Sequence, residues 1–346
     1  MTAIDAVGGW PTVLATLLEG GDLTEEQAGA ALRTILAGEA TPAQTAGLIV
    51  ALRQKGETVD ELAGMVDAML DAAEPLELPD GTIDIVGTGG SPRRRERALN
   101  VSTMASLVAA AAGATVCKHG NIKASSTSGS FDLLDALGVN HDHEPARVAE
   151  IVAEVGVGFC FARAFHPAMR HAGPVRAELG VPTVFNVLGP LSHPGRVRRQ
   201  VIGVGDPRLV DLVAGVLAAR GADHALVVHG ADHLDEFTLG GPTDVREVRD
   251  GMIVDSYLFG PADAGLALVD AVDVPGGTPE DNARIARSVF EGAPGPARDI
   301  VVLNAGAGLY VADVADSLAA GVDAAGAAID RGAAAEILER LVAVSR

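Results

Sequence analysis

The chain has 346 residues, of which 48% are hydrophobic and 21% charged, with a formal net charge of −20. That length exceeds a comfortable single core, so two domains are expected, and the composition is that of a folded protein, not a disordered one. The negative charge argues against nucleic acid or an anionic membrane surface as partner, because both are polyanions.

The longest nearly apolar run, Met104 to Cys117, has 14 residues, short of the ~18 that suggest a membrane span. Glu19, Asp22, Glu25 and Glu26 interrupt the N-terminal region, so no secretory leader and a cytoplasmic location are expected. The two cysteines, Cys117 and Cys160, sit in apolar runs and are expected as reduced thiols. Lys55, Lys118 and Lys123 are the only lysines among 26 basic residues. Two of them fall in the single turn KHGNIK, where a compact ammonium is a different tool from a guanidinium fork.

In chain order, residues 1–75 read as helical. Thr24 with Gln27, Thr41 with Gln44 and Thr58 with Glu61 form three capping-box starts, the second with proline at the first helical position. From about Thr82 the pattern changes to short β-rich runs between Ala-rich helical stretches: TIDIVG, ATVCKHG, VGFCFA, RQVIGVG, HALVVHG and DIVVLNAG. Each is expected to be a strand of a mostly parallel α/β sheet. Residues 165–185 interrupt the alternation with helix-like sequence, expected to pack back on the N-terminal helices. The expected architecture is therefore α/β. A small N-terminal α-helical domain (1–75, with 165–185) precedes a larger α/β domain (80–164 and 186–346) built on a central mostly parallel sheet.

The polar turns cluster where such a sheet binds ligands, beyond strand C-termini. Gly87-Thr-Gly-Gly90 follows the run IDIV, and glycines there permit a tight turn and close backbone approach to a phosphate. Asn100-Val101-Ser102-Thr103 opens the next helix, with Ser102 as expected N-cap and possible magnesium ligand. Lys118-His-Gly-Asn121 ends the next strand, and Ser125, Ser126, Gly129 and Ser130 precede another helix. Asp235 and Glu236 follow the run HALVVHG, and such a carboxylate pair suffices for Mg²⁺ when substrate phosphates and water complete the shell. His141-Asp-His143-Glu reads as a surface turn and His229 as structural. Arg93 to Arg95 and Arg97 form a basic loop beside the Gly-rich turn.

The ordered set GTGG, NVST, KHGN, SS, GS, HPAM, PVRAELG, FNVLGPL, HG-x-D-x-LDE and GPT resembles the anthranilate phosphoribosyltransferases of tryptophan biosynthesis, from about residue 10 to the C-terminus. The resemblance implies a nucleoside phosphorylase/phosphoribosyltransferase type of fold. It also implies a homodimer through the helical domain, and Mg²⁺-dependent transfer of phosphoribosyl from phosphoribosyl diphosphate (PRPP) to the anthranilate amine. By the same resemblance Gly87, Gly90, Asn100, Val101, Ser102, Thr103, Lys118, Ser126 and Ser130 hold PRPP. Gly87, Asn121, His166 and Arg176 face the acceptor, Lys118, Asn121 and Arg176 carry the catalysis, and Ser102, Asp235 and Glu236 bind the metal.

The chain departs from the family pattern at several of these places. Ser91-Pro92 and an Arg-rich loop follow GTGG in place of Asp-Gly, and Ala98 stands at a Thr position. Ile122 replaces an Arg, and Arg163 replaces a Pro. Three readings follow: transfer to anthranilate or a similar aromatic acid; a nucleoside phosphorylase-like enzyme; or a divergent relative with another acceptor or no catalysis, its Arg loop holding a nucleic acid or regulatory partner.

Overall fold

The computed structural model describes residues 2–89, 99–122, 127–270 and 273–346. Four helices come first: α1 (Gly9–Leu18), α2 (Glu25–Leu36), α3 (Pro42–Lys55) and α4 (Val59–Asp71). All three capping boxes form. Thr24, Thr41 and Thr58 each accept from the backbone N–H three residues on, and Gln27, Gln44 and Glu61 return the bond. Two orphan N–H groups per helix are thereby satisfied by local sequence alone.

The α/β part follows as β1 (Ile83–Gly87), α5 (Val101–Ala111), β2 (Val116–Gly120), α6 (Ser130–Leu137), α7 (Pro145–Val155) and β3 (Val157–Phe161). Short helices α8 (Ala162–Phe165), α9 (Gly173–Leu179) and α10 (Phe185–Leu191) lead to β4 (Arg199–Gly203), α11 (Val210–Ala219) and β5 (His224–Gly230). The hairpin β6 (Thr243–Arg249) and β7 (Met252–Phe259) precedes α12 (Pro279–Phe290), α13 (Pro296–Val311), α14 (Leu318–Asp330) and α15 (Ala333–Val344).

The sheet runs β3-β2-β1-β4-β5-β6-β7, parallel from β3 to β5 and antiparallel beyond. Residues alternate between its faces with the period of two that a pleated strand imposes. Val201, Leu226 and Val228 enter one core with α5 and α13; Ile202, Val204, Ala225 and Val227 enter another with α2, α4 and α11. The second core also takes Ala172, Val175 and Phe185, and α9 packs on α3.

One expected strand is a helix. DIVVLNAG lies inside α13, whose residues from Ile300 to Leu309 are all buried. A helix buried on every side presents a continuous apolar run, which periodicity cannot separate from a buried strand. The β6–β7 hairpin, absent from the expected strands, closes the far edge of the sheet.

Candidate active site

The chain order reverses direction across the sheet between β1 and β4, and ligands of open α/β sheets bind at such a switch point, beyond the strand C-termini. Gly87 and Gly203 are registered partners there. The loop after β5 lays Asp235 directly over them. A Cβ on Gly203 would overlap the Asp235 backbone carbonyl, and one on Gly87 would overlap its carboxylate. Gly89 donates its N–H to Asp235 Oδ2 at 2.7 Å. The turn after β1 is pinned from below as well, because Thr88 N–H donates to the Gly203 carbonyl (2.9 Å) and Thr88 Oγ1 accepts from Gly205 N–H (3.1 Å).

Glu236 accepts from the Ser102 N–H at 3.3 Å, near the start of α5. This corrects the expectation that Ser102 caps the helix. The cap position is Asn100, and it makes no side-chain cap bond. Its amide is occupied elsewhere, donating to the Ser128 carbonyl (3.1 Å) and accepting from Ser128 Oγ and Asn282 Nδ2, both at 2.8 Å. An acid from a distant loop thus meets an N–H in the first turn, where negative charge is favoured. Val101 packs into the core, and Thr103 is buried with its Oγ1 lacking a hydrogen-bond partner among the described residues. Asn304 of α13 holds the acidic loop in turn. It accepts from Phe237 N–H and donates to the Phe237 carbonyl, each at 3.0 Å.

Lys118 is 2% exposed. Its Nζ donates to the Ile85 (2.8 Å) and His119 (3.2 Å) carbonyls. Burial pushes its pKa down, against the pull of Asp84, Glu236 and Asp235. Asp84, on β1, accepts from His119 N–H at 3.2 Å. Gly120 lets Ser130 approach: a Cβ there would sit 3.0 Å from Ser130 Oγ.

Beside this turn opens a cavity of about 790 Å³, which Gly87, Asn121, His166 and Arg176 all line. His119, Arg163, Arg170 and Phe185 line it too. No Asp or Glu is among its described lining residues. The Arg176 guanidinium lies 5.0 Å over the Phe185 ring and has no ion pair among the described residues. Burial lowers its pKa. Burial also pushes His166 down to about 4, helped by the nearby His193, so a neutral imidazole faces the cavity. Gly90, Ser126, the Ser91–Pro92 step, the Arg93–Arg97 loop and Lys123 fall outside the described residues. His119, Arg170 and Asn304 are additions to the expected set. Each lies within or beside a motif run, but nothing in its sequence context marks it as more than a neighbour.

A helical bundle joined to a mostly parallel sheet, with an acidic pair over its switch point, is a glycosyltransferase architecture. Residues 11–73 match the family model "Glycosyl transferase family, helical bundle domain", and residues 80–335 match "Glycosyl transferase family, a/b domain". Within that class the chain belongs to the anthranilate phosphoribosyltransferase family. It is 48% identical over 343 residues to the anthranilate phosphoribosyltransferase of an Arthrobacter species, covering 97% of this chain and 96% of that one. It is 51% identical over 338 residues to that of Thermomicrobium roseum, covering 96% of each. The crystal structure of the Thermus thermophilus anthranilate phosphoribosyltransferase superposes with a TM-score of 0.90 at 46% identity, covering 96% of this chain and 99% of that one. The Saccharomyces cerevisiae enzyme in complex with PRPP and Mg superposes with a TM-score of 0.87 at 27% identity, covering 97% of both.

Proposed function

We propose that this protein transfers the phosphoribosyl group of PRPP to the amine of anthranilate and releases diphosphate. One observation carries the reading: Gly87 joins two opposite electrostatic environments. On one side it lines a cavity with a half-buried guanidinium and no described carboxylate; on the other it touches Asp235. A substrate pair made of an aromatic carboxylate and a metal-bound diphosphate fits that polarity.

The donor set suits Mg²⁺. Asp235, Glu236 and the Ser102 hydroxyl offer hard oxygens, and Gly87 and Gly203 leave the space that seats the acidic loop. When bound, Mg²⁺ neutralises charge on the diphosphate leaving group. The chain's own residues do the remaining work. The Gly87–Gly89 turn, the first turn of α5 and Lys118 hold PRPP, together with Ser130 and with Gly90 and Ser126 from outside the described residues. Arg176 pairs the acceptor carboxylate, Asn121 orients the ring, and neutral His166 lines the pocket without adding charge. The aniline nitrogen is unprotonated at neutral pH, so positioning and electrostatic stabilisation suffice and no strong base is needed.

The site lies between a helical unit (1–75 with 165–185) and an α/β unit (80–164 and 186–346). No described helix is long and apolar enough to cross a membrane, and the free thiols favour a cytoplasmic enzyme. Leu18 on α1 and Val50 on α3 are exposed on adjacent helices, which supports a homodimer through the helical domain. Light scattering on a Leu18→Glu variant tests it, with a monomer expected.

The deciding experiment follows anthranilate fluorescence in the presence of PRPP and Mg²⁺, with an EDTA control. Metal-dependent loss is expected, and Glu236→Ala should abolish it while leaving the circular dichroism spectrum intact. Unchanged turnover in that variant would overturn the reading.

A further inference from the structure

The transfer reaction makes no use of one buried cluster beside the site. The only two cysteines of the chain, Cys117 on β2 and Cys160 on β3, are free and fully buried, with their Sγ atoms 3.0 Å apart. His193, 2% exposed, reaches them from the segment after α10. Its Nε2 lies 2.9 Å from the Cys117 carbonyl and 3.9 Å from Cys160 Sγ. Its Nδ1 accepts from the Gly195 N–H at 3.0 Å.

That last bond decides what the cluster can do. A neutral ring whose Nδ1 accepts carries its proton on Nε2, so that N–H donates to the Cys117 carbonyl, with Cys160 Sγ farther off at 3.9 Å, and the ring turns no lone pair to the sulfurs. A metal-binding histidine needs the opposite arrangement, with its far nitrogen donating. Tetrahedral zinc would also hold two thiolates farther apart, about 3.8 Å for Zn–S bonds of ~2.3 Å. The cluster is therefore a dithiol with a hydrogen-bond donor beside it. Burial pushes the Cys117 thiol up, but bonds with Cys160 and His193 outweigh this and bring it down to about 7. Burial and the Cys117 neighbour push Cys160 up. One sulfur is thus the better nucleophile and the other retains its proton, in contact.

We propose that Cys117 and Cys160 form a peroxide-reactive modification site, in which hydrogen peroxide converts the pair to an intramolecular disulfide that weakens acceptor binding. The Cys117 sulfur attacks one peroxide oxygen; the S–O bond forms, the O–O bond breaks and water leaves once the thiol proton is transferred. Cys160 Sγ then attacks Cys117 Sγ; the S–S bond forms, the S–O bond breaks and a second water leaves. Two thiols have lost two electrons and two protons, and one peroxide has become two waters. An external dithiol reverses the step by exchange. Peroxide is nearly the size of water, which suits thiols this deeply buried.

The register couples this chemistry to the site. Cys117 pairs with Gly158 and Cys160 with His119, so the cysteines lie diagonally, two residues out of register. A pair offset by two residues along neighbouring parallel strands is farther apart than an opposed one, and closing it draws the ends of β2 and β3 together. Those ends carry His119–Asn121 and lead into Ala162 and Arg163, all of which line the cavity. The His193 ring is 5.8 Å from His119, and His119 is 5.2 Å from His166. The consequence for catalysis rests on the transfer reading above, whereas the thiol chemistry does not.

The test treats purified protein with hydrogen peroxide and reads intact mass, thiol content in denaturant, and kinetics. Expected is a chain mass lighter by two hydrogens, with no titratable thiol and both changes reversed by dithiothreitol. kcat/KM for anthranilate should fall about tenfold or more, as sub-ångström misplacement allows, with KM for PRPP unchanged. Cys160→Ala should keep its reduced-state turnover and form no disulfide; dithiothreitol reversal in the unmodified protein decides the matter should that variant not fold. Two persisting thiols, oxygen addition without an S–S bond, or a disulfide with unaltered kinetics would each overturn the proposal. Absence of transfer in the fully reduced protein would sink the transfer reading instead, while mass and thiol content still judged the disulfide.

Discussion

Gly89 and Asp235, 146 positions apart in the chain, meet through a 2.7 Å hydrogen bond from the Gly89 N–H to Asp235 Oδ2. The bond ties the turn after β1 to the acidic loop after β5, across the point where the sheet reverses its order. It forms because β1 and β4 both end in glycine, at Gly87 and Gly203, and side chains there would occupy the space Asp235 takes.

Gly203→Ala should therefore displace the acidic loop. The new methyl would meet backbone, which cannot rotate away. We expect a loss of about 1–3 kcal/mol in stability from overpacking. A fall of roughly a hundredfold in Mg²⁺-dependent turnover should accompany it. Thermal melts and anthranilate fluorescence check both, and near-normal turnover would show that the loop is not held by this contact.

Arg176→Gln should act on the acceptor alone. The guanidinium stacks on Phe185 and lines the cavity, where the proposed acceptor carboxylate would pair with it. A hydrogen-bonded charge pair of this kind contributes about 2–3 kcal/mol. KM for anthranilate should rise roughly thirtyfold to a hundredfold while KM for PRPP holds. Equal loss for both substrates in steady-state kinetics would contradict the assignment.

Asn304→Ala tests whether α13 sets the acidic loop. The variant loses both bonds to the Phe237 backbone, next to Glu236, at about 1–3 kcal/mol for the buried groups left unpaired. Titrating turnover against Mg²⁺ should give a several-fold higher half-saturation, with KM for anthranilate unaffected. An unchanged Mg²⁺ curve would assign Asn304 to stability only.

Stability should fall on acidification through His166. Its folded pKa of about 4 lies below the unfolded 6.5, so the unfolded state binds more protons between those values. The penalty is absent above pH 6.5 and grows as pH drops towards 4, by about 1–3 kcal/mol in all. His119 shifts the same way and His193 the opposite way, so the clean measurement is the difference between the parent and His166→Gln. The variant's denaturation midpoint should vary less over that pH range; parallel curves would refute it.

Local rules made much of the molecule legible from sequence. A Thr with a Gln or Glu three positions on announces a helix start because the partners are covalently near, and all three starts are present. The strands β1, β2, β4 and β5 were readable because short β-rich runs ended in glycine, and β3 because its apolar run follows Gly156. The motif residues Gly87, Asn121, His166 and Arg176 share one cavity; the first three sit where an element ends, and Arg176 lies within the short helix α9.

Contacts made across the chain were not legible. Asn304 lies in a run that reads as a strand until α13 is seen buried on all sides. Ser102 looks like a cap until Glu236 is found at its N–H. Cys117 and Cys160 look like two separate core thiols until the register of β2 and β3 sets them in contact. Sequence by itself determined most of the elements, because capping, periodicity and turn chemistry act over a few residues, and its ordered motifs determined the family. Only the tertiary structure decided which atoms meet, because strand register, helix burial and close glycine contacts depend on the whole chain packing at once.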